Sequence, residues 1–172
     1  MDNLKQYCLS FSGLGLGLHQ YHFDIDLKFF DNFEQDVILF SDVKIDISLE
    51  KQERMLIYDF FISGFIKVEC DRCLEEMIMP IEGNERLIVK FGEEKIEESE
   101  DVLILTENEH KIDISGYIYD YIMVRIPIKK VHNDDENGIS ECNPKMLEIL
   151  DKLSERKIDN RFDKLKDLFN NN

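Results

Sequence analysis

Met55-Leu56-Ile57-Tyr58-Asp59-Phe60-Phe61-Ile62-Ser63-Gly64-Phe65-Ile66-Lys67-Val68-Glu69 is the stretch that decides the architecture. Leu56, Tyr58, Phe60, Ile62, Ile66 and Val68 fall on one face at a period of two, which is a strand's period and not a helix's. Phe61 and Phe65 fall on the other face, so the strand is expected to be central and covered in part on both sides. The same alternation extends outward in both directions. Tyr21, Phe23, Ile25, Leu27 and Phe29 alternate with polar residues, as do Val43, Ile45, Ile47 and Leu49. Downstream come Met77, Met79 and Ile81, then Leu87, Val89 and Phe91, with Gly83-Asn84 as an expected bend or bulge. Val102 to Leu105 reads as a short apolar strand. Short connections between successive strands favour an antiparallel sheet, expected over about residues 5–105.

Beyond it the period changes. Ile114, Tyr117, Ile118, Tyr121 and Ile122 make a helical stripe over about 113–125, with Asp113 as its cap and Pro127 beyond its end. Asn143-Pro144 is a cap followed by proline at the first helical position, starting a helix to about 153. A last short helix is expected over 160–169. The reading is α+β, a single domain over 1–172, with a mainly antiparallel sheet in the N-terminal two thirds and a helical tail at about 144–172. Two polar segments, Gly92 to Asp101 and Asn133 to Ser140, read as solvated loops. The first has six acidic residues and one lysine.

Charge limits the function. The 172 residues carry 37 acidic and 21 basic side chains, a net of −16. Residues 1–150 hold the whole excess at −17, and residues 151–172 are near balance at +1. Such a body repels a phosphate backbone except at a local basic patch, and repels an anionic membrane. No stretch is long and apolar enough to span a bilayer, and the start does not read as a signal peptide. A cytoplasmic location with reduced cysteines is the expectation.

Most familiar chemical motifs are missing. Gly13-Leu14-Gly15-Leu16-Gly17 fails as a dinucleotide loop, because Leu18 takes the third glycine's place and a strand pattern follows. It reads as a bend into the next strand. His19, His22, His110 and His132 are scattered, and nothing points to an enzyme. The pointed feature is Cys70-Asp71-Arg72-Cys73, whose spacing fits a tight turn aiming two thiolates at one tetrahedral metal. Cys142 and His132 are the candidates for the other two ligands, although nine residues lie between them. Three readings stay open: a zinc site, a redox-active dithiol, and unligated buried thiols. Cys8 reads as a small core residue. Arg72, Arg125, Lys129 and Lys130 are the candidate contacts to RNA or to a partner, set against ordinary surface charge.

The pieces in order resemble the YceD family, formerly a domain of unknown function, in the form found in Bacteroidetes-type bacteria. They run from Phe11-Ser12-Gly13 through His19, Gly64 to Leu74, Ile112-Asp113-Ile114-Ser115, Ile126-Pro127-Ile128-Lys129 and Cys142-Asn143-Pro144, covering about residues 8–155. The resemblance implies a role in accumulation of large-subunit ribosomal RNA, in bacteria and plastids, with no established enzymatic activity. Its implied partners are that RNA and a large-subunit ribosomal protein. Many members carry a second cysteine pair after the proline segment, where this chain has Cys142 with His132 as substitute. The leading expectation is a non-catalytic ribosome-biogenesis factor. A zinc-stabilised interaction module unrelated to ribosomes and a thiol redox protein are the alternatives.

Overall fold

The computed structural model describes residues 4–94, 96–99 and 101–154. After a 3-10 turn at Lys5–Tyr7 the elements are β1 (Cys8–Ser10), β2 (Gly17–Ile25), α1 (Leu27–Phe30), β3 (Phe40–Lys51), β4 (Met55–Glu69) and β5 (Glu76–Gly92). They continue as β6 (Ile96–Ser99), β7 (Val102–Thr106), β8 (Lys111–Asp113), α2 (Ser115–Met123) and α3 (Pro144–Ser154). The expected helix over 160–169 lies outside the described residues. The α+β reading holds.

A six-stranded sheet runs in the order β2-β3-β4-β5-β7-β6, and β1 pairs with β8 in a separate ribbon. The β4 strand is central, antiparallel to both neighbours along its whole length. Its even-numbered side chains from Leu56 to Val68, Gly64 apart, are buried with Ile45, Ile47, Leu87 and Val89. On them sit the β1–β8 ribbon, α1 and α2, through Tyr7, Phe29, Phe30, Ile118, Tyr121 and Ile122. Aromatic edges interlock the layers. Phe60 meets Tyr121 at 5.1 Å and Tyr7 meets Phe29 at 5.0 Å, both edge-on.

Several expectations need correction. The opposite face of β4 is more open than the pattern implied: Phe61 is 47% exposed, while Phe65 stacks on Phe40 of β3 at 6.0 Å. Gly83 makes no bulge, since the β4–β5 register passes through it unbroken. Residues 92–101 are not wholly a loop, because they contain β6, the edge strand beyond β7. A charged segment suits an edge, where charge protects unpaired backbone groups from further pairing. The sheet is also not wholly antiparallel. The chain crosses to the edge as β6 and returns as β7, so β7 lies parallel to β5. Helix α2 is shorter than expected. Its N-cap position is Ile114, which has no capping side chain, and not Asp113, whose Oδ1 accepts from Ser115 N at 2.9 Å and Ser115 Oγ at 2.7 Å. Cys8 is only half-buried.

The glycine-rich segment behaves as a bend into β2. A cation sits on carbonyls of this segment and of the residues just before it: Lys51 Nζ donates to Leu14 O at 2.8 Å and to Phe11 O at 2.7 Å. A phosphate cradle needs the opposite polarity, N–H groups pointing inward.

Candidate metal centre

At the end of β4 the chain turns sharply. Cys70 N bonds Glu75 O and Leu74 N bonds Cys70 O, both at 2.9 Å, so Cys70–Cys73 form a closed knuckle before β5 begins. The two residues between the cysteines fasten the knuckle to a distant segment. Asp71 N donates to Lys130 O at 2.7 Å, Lys130 N donates back to Asp71 Oδ2 at 2.7 Å, and Lys130 Nζ pairs with Asp71 Oδ1 at 3.1 Å. These donors, the Lys130 N–H first, hold the Asp71 carboxyl below its usual range. Arg72 Nη1 donates to Ser140 Oγ at 3.1 Å, and Ser140 Oγ also accepts from Cys142 N at 3.3 Å. The second half of the site is thereby carried to the first.

Asn143 does what its sequence position predicts. Its Oδ1 caps α3 through Lys145 N at 2.9 Å, while its Nδ2 donates to Glu75 Oε1. The α3 start therefore holds Cys142 against the knuckle. Met77, Val131, Met146 and Leu147 pack around the three cysteines, all of which are buried.

The donor atoms of Cys70, Cys73, His132 and Cys142 lie within 4.8 Å of one another, so the group could hold a metal ion. Cys70 Sγ and Cys142 Sγ are 3.7 Å apart; His132 Nδ1 is 3.4 Å from Cys73 Sγ and 3.8 Å from Cys142 Sγ. A tetrahedral zinc with ordinary Zn–S and Zn–N lengths sets its ligands about 3.8 Å apart for two sulfurs and about 3.5 Å for sulfur and nitrogen. The Cys70–Cys142 and Cys73–His132 separations are close to those edges, and the Cys142–His132 separation is somewhat longer. Three soft sulfurs and an imidazole are also the donor set such an ion takes.

The electrostatics suit a cation. Burial pushes the Cys70 thiol up, but the backbone N–H groups of Cys73, His132 and Arg72 outweigh it and bring Cys70 down to about 6. Cys142 goes the other way, raised by burial and by the neighbouring cysteine sulfurs. The thiolate is thus favoured at Cys70 and disfavoured at Cys142. A metal would take the cysteines as thiolates and displace the protons they still hold.

Leu74 closes the turn at φ +61, in the left-handed region. A non-glycine residue there costs about 1–2 kcal/mol, against about 0.5–1 kcal/mol of added chain entropy for glycine. The Leu74 side chain is 64% exposed and contributes little burial. Leu74→Gly is therefore expected to raise stability by about 0.5–1 kcal/mol in urea unfolding. A loss of stability would show that Leu74 packs on something essential.

The basic residues do not assemble into one patch. Lys130 is bound to Asp71 and Arg72 to Ser140, so both serve the knuckle. Arg125 belongs elsewhere: its side chain is 15% exposed, with Nη2 on Glu85 Oε1 at 2.8 Å and Nη1 on Tyr121 O. Gly83 makes room for it, since a Cβ there would stand 2.6 Å from the Arg125 Cζ. Lys129 alone of the four is exposed. Sequence reasoning missed the fastening role of Asp71 and the Glu75–Asn143 clasp, because neither has a local signature.

The fold is α+β, a sheet capped on one face by helices, with three buried cysteines and a half-buried histidine at the strand end that could hold a metal ion. The chain belongs to the YceD family: the family model described as "Large ribosomal RNA subunit accumulation protein YceD" matches residues 58–169, about two thirds of the chain. That span starts within β4, so it holds all four candidate ligands but not the glycine-rich segment. No curated protein and no solved structure matches. Membership gives the protein a ribosome-related role.

Proposed function

We propose that this protein is a non-catalytic factor supporting accumulation of large-subunit ribosomal RNA, and that it acts through a basic ribosomal protein. Zinc at Cys70, Cys73, Cys142 and His132 holds its knuckle and the start of α3 together. The observation carrying the reading is family membership over residues 58–169, joined to a net charge of −16. The charge selects the partner. An acidic body attracts a basic protein and repels RNA, and three of the four basic candidates are engaged within the fold.

Depletion followed by sucrose-gradient profiling is expected to lower free large subunits and large-subunit ribosomal RNA while sparing the small subunit. Unchanged large-subunit levels would defeat the proposal. Pull-downs at low and high salt, with and without ribonuclease, then separate the partners. A protein partner survives ribonuclease and weakens with salt. Capture abolished by ribonuclease and by Lys129→Glu would move the contact to RNA.

A further inference from the structure

One face of the six-stranded sheet carries the ribbon and the helices. Among the described residues the other face has no element on it, and the strand register sets its side chains in rows. Phe40, Lys67 and Ile78 share one row across β3, β4 and β5. Asp42, Phe65 and Pro80 share the next, then Lys44, Ser63 and Glu82, then Asp46, Phe61 and Asn84. Phe40, Phe61 and Ile78 are exposed and Phe65 is half-buried against Phe40, so the middle of the face is apolar. Contiguous exposed apolar surface rimmed by polar groups marks an interaction site.

The charge around these rings is unbalanced. Lys67 pairs with Glu76, and His22 lies on Asp24 and Asp46. Among the described residues no ion pair takes up Asp42, Glu69 or Glu82, and Lys44 is the one cation of the rows left against them. The face also shows how it holds a cation. Lys67 Nζ lies 5.8 Å from the centre of the Phe40 ring and 3.5 Å from Glu76 Oε2, between an aromatic face and a carboxylate. Phe61 and Asp46 repeat that pairing as direct neighbours on adjacent strands, beside a cavity of about 160 Å³ that Gln20 and Ser48 also line. Asp46 meets His22 through Oδ1, which leaves Oδ2 to a second donor.

We propose that this outer face docks a basic protein segment. Its arginine or lysine heads rest on the Phe61 ring and pair with Asp42, Asp46 and Glu82, while its apolar side chains cover Phe40 and Ile78. Such docking rests on the reading of a basic protein partner given above, and names the surface that partner meets. The other occupants fit less well. A second copy would bring the same acids and another net charge of −16, and RNA phosphates meet the same repulsion. The chain's own last residues, 151–172, are near balance at +1.

The test titrates the full chain and follows its amide chemical shifts. The probe is a peptide of three Gly-Arg-Leu-Arg repeats. The controls are the same peptide with glutamate for arginine, the same with serine for leucine, and a single-stranded RNA dodecamer. The probe is expected to shift amides of Asp42, Asp46, Phe61, Phe65 and Ile78 and to spare α2 and the β1–β8 ribbon. The glutamate peptide should shift none of them, and the serine peptide should bind several-fold more weakly. Phe61→Ser should weaken the probe about threefold, and Asp42→Asn with Glu82→Gln about threefold, the remaining spectrum unchanged. Equal binding of the glutamate peptide, shifts confined to other surfaces, or an affinity indifferent to both variants would overturn the proposal. So would stronger shifts here from the RNA, shifts here on raising the protein concentration alone, or shifts in residues 155–172 caused by Phe61→Ser in the free protein. Those results assign the face to RNA, to a second copy or to the chain's own end. Loss of large subunits on depletion without peptide binding here keeps the ribosomal reading and removes this face. Peptide binding here with unchanged large subunits keeps the face and removes that reading.

Discussion

Purified protein is expected to carry about one zinc per chain, and Cys70→Ser or Cys142→Ser to reduce this below about one tenth. The expectation follows from four soft donors gathered within 4.8 Å, with the three separations given above near those of a zinc tetrahedron. His132→Cys should keep the metal, since it makes a four-cysteine site, and Cys8→Ser should keep it because Cys8 lies in β1, outside the cluster. Metal uptake near pH 7.5 should release protons, Cys142 being raised and protonated before binding. Removal by chelator should lower the melting temperature by about 10 °C, on the order of 3–5 kcal/mol for a chain of this size.

The loss should also be local. No residue of α3 is fully buried, and its Met146 and Leu147 pack against the cysteines. The central sheet has its own core, from Val43 to Leu105, and does not need the metal to bury it. Hydrogen exchange after chelation is therefore expected to rise over about residues 128–154 and stay low across β3, β4 and β5. Full metal content in Cys70→Ser, or uniform loss of protection across the sheet, would contradict the assignment.

Legibility in the sequence followed the range of the forces involved. The central strand, its neighbours and the α3 start were readable, because alternation and a proline-marked cap are local. The path of β6 and β7 was not. A run such as Gly92 to Asp101 has the composition of a loop and equally of a solvated edge strand, and only the β7 insertion distinguishes them. The cysteine pair announced half of the site. Nine intervening residues gave His132 and Cys142 no motif of their own, because their approach is set by Asp71 gripping Lys130 and Arg72 gripping Ser140. The same contacts explain why counting basic residues overstated the RNA surface. Charge in a sequence has no address until its partners are known, and Arg125 finds its partner in Glu85, forty residues upstream.

Gly64 sits in the middle of β4, directly opposite Val43, with φ +149. Such a backbone is open to glycine and strained for any other residue. Space is the second obstacle: a Cβ at Gly64 would overlap the carbonyl oxygen of Asp42 and stand 2.7 Å from Val43 Cα. These are backbone atoms within the β3–β4 ladder, so no side-chain rotation relieves the overlap. The two strands would have to part where the core is most fully packed. Gly64→Ala is accordingly expected to cost at least about 3 kcal/mol in urea unfolding, and Gly64→Val to prevent accumulation of folded protein. Gly116 in α2 is the matched control, since nothing lies within 4 Å of the Cβ it would gain. Gly116→Ala should raise stability by about 0.5–1 kcal/mol through helix propensity alone. A Gly64→Ala protein as stable as the parent would mean that β3 and β4 are not held at this separation, and the register of the whole sheet would then need redrawing.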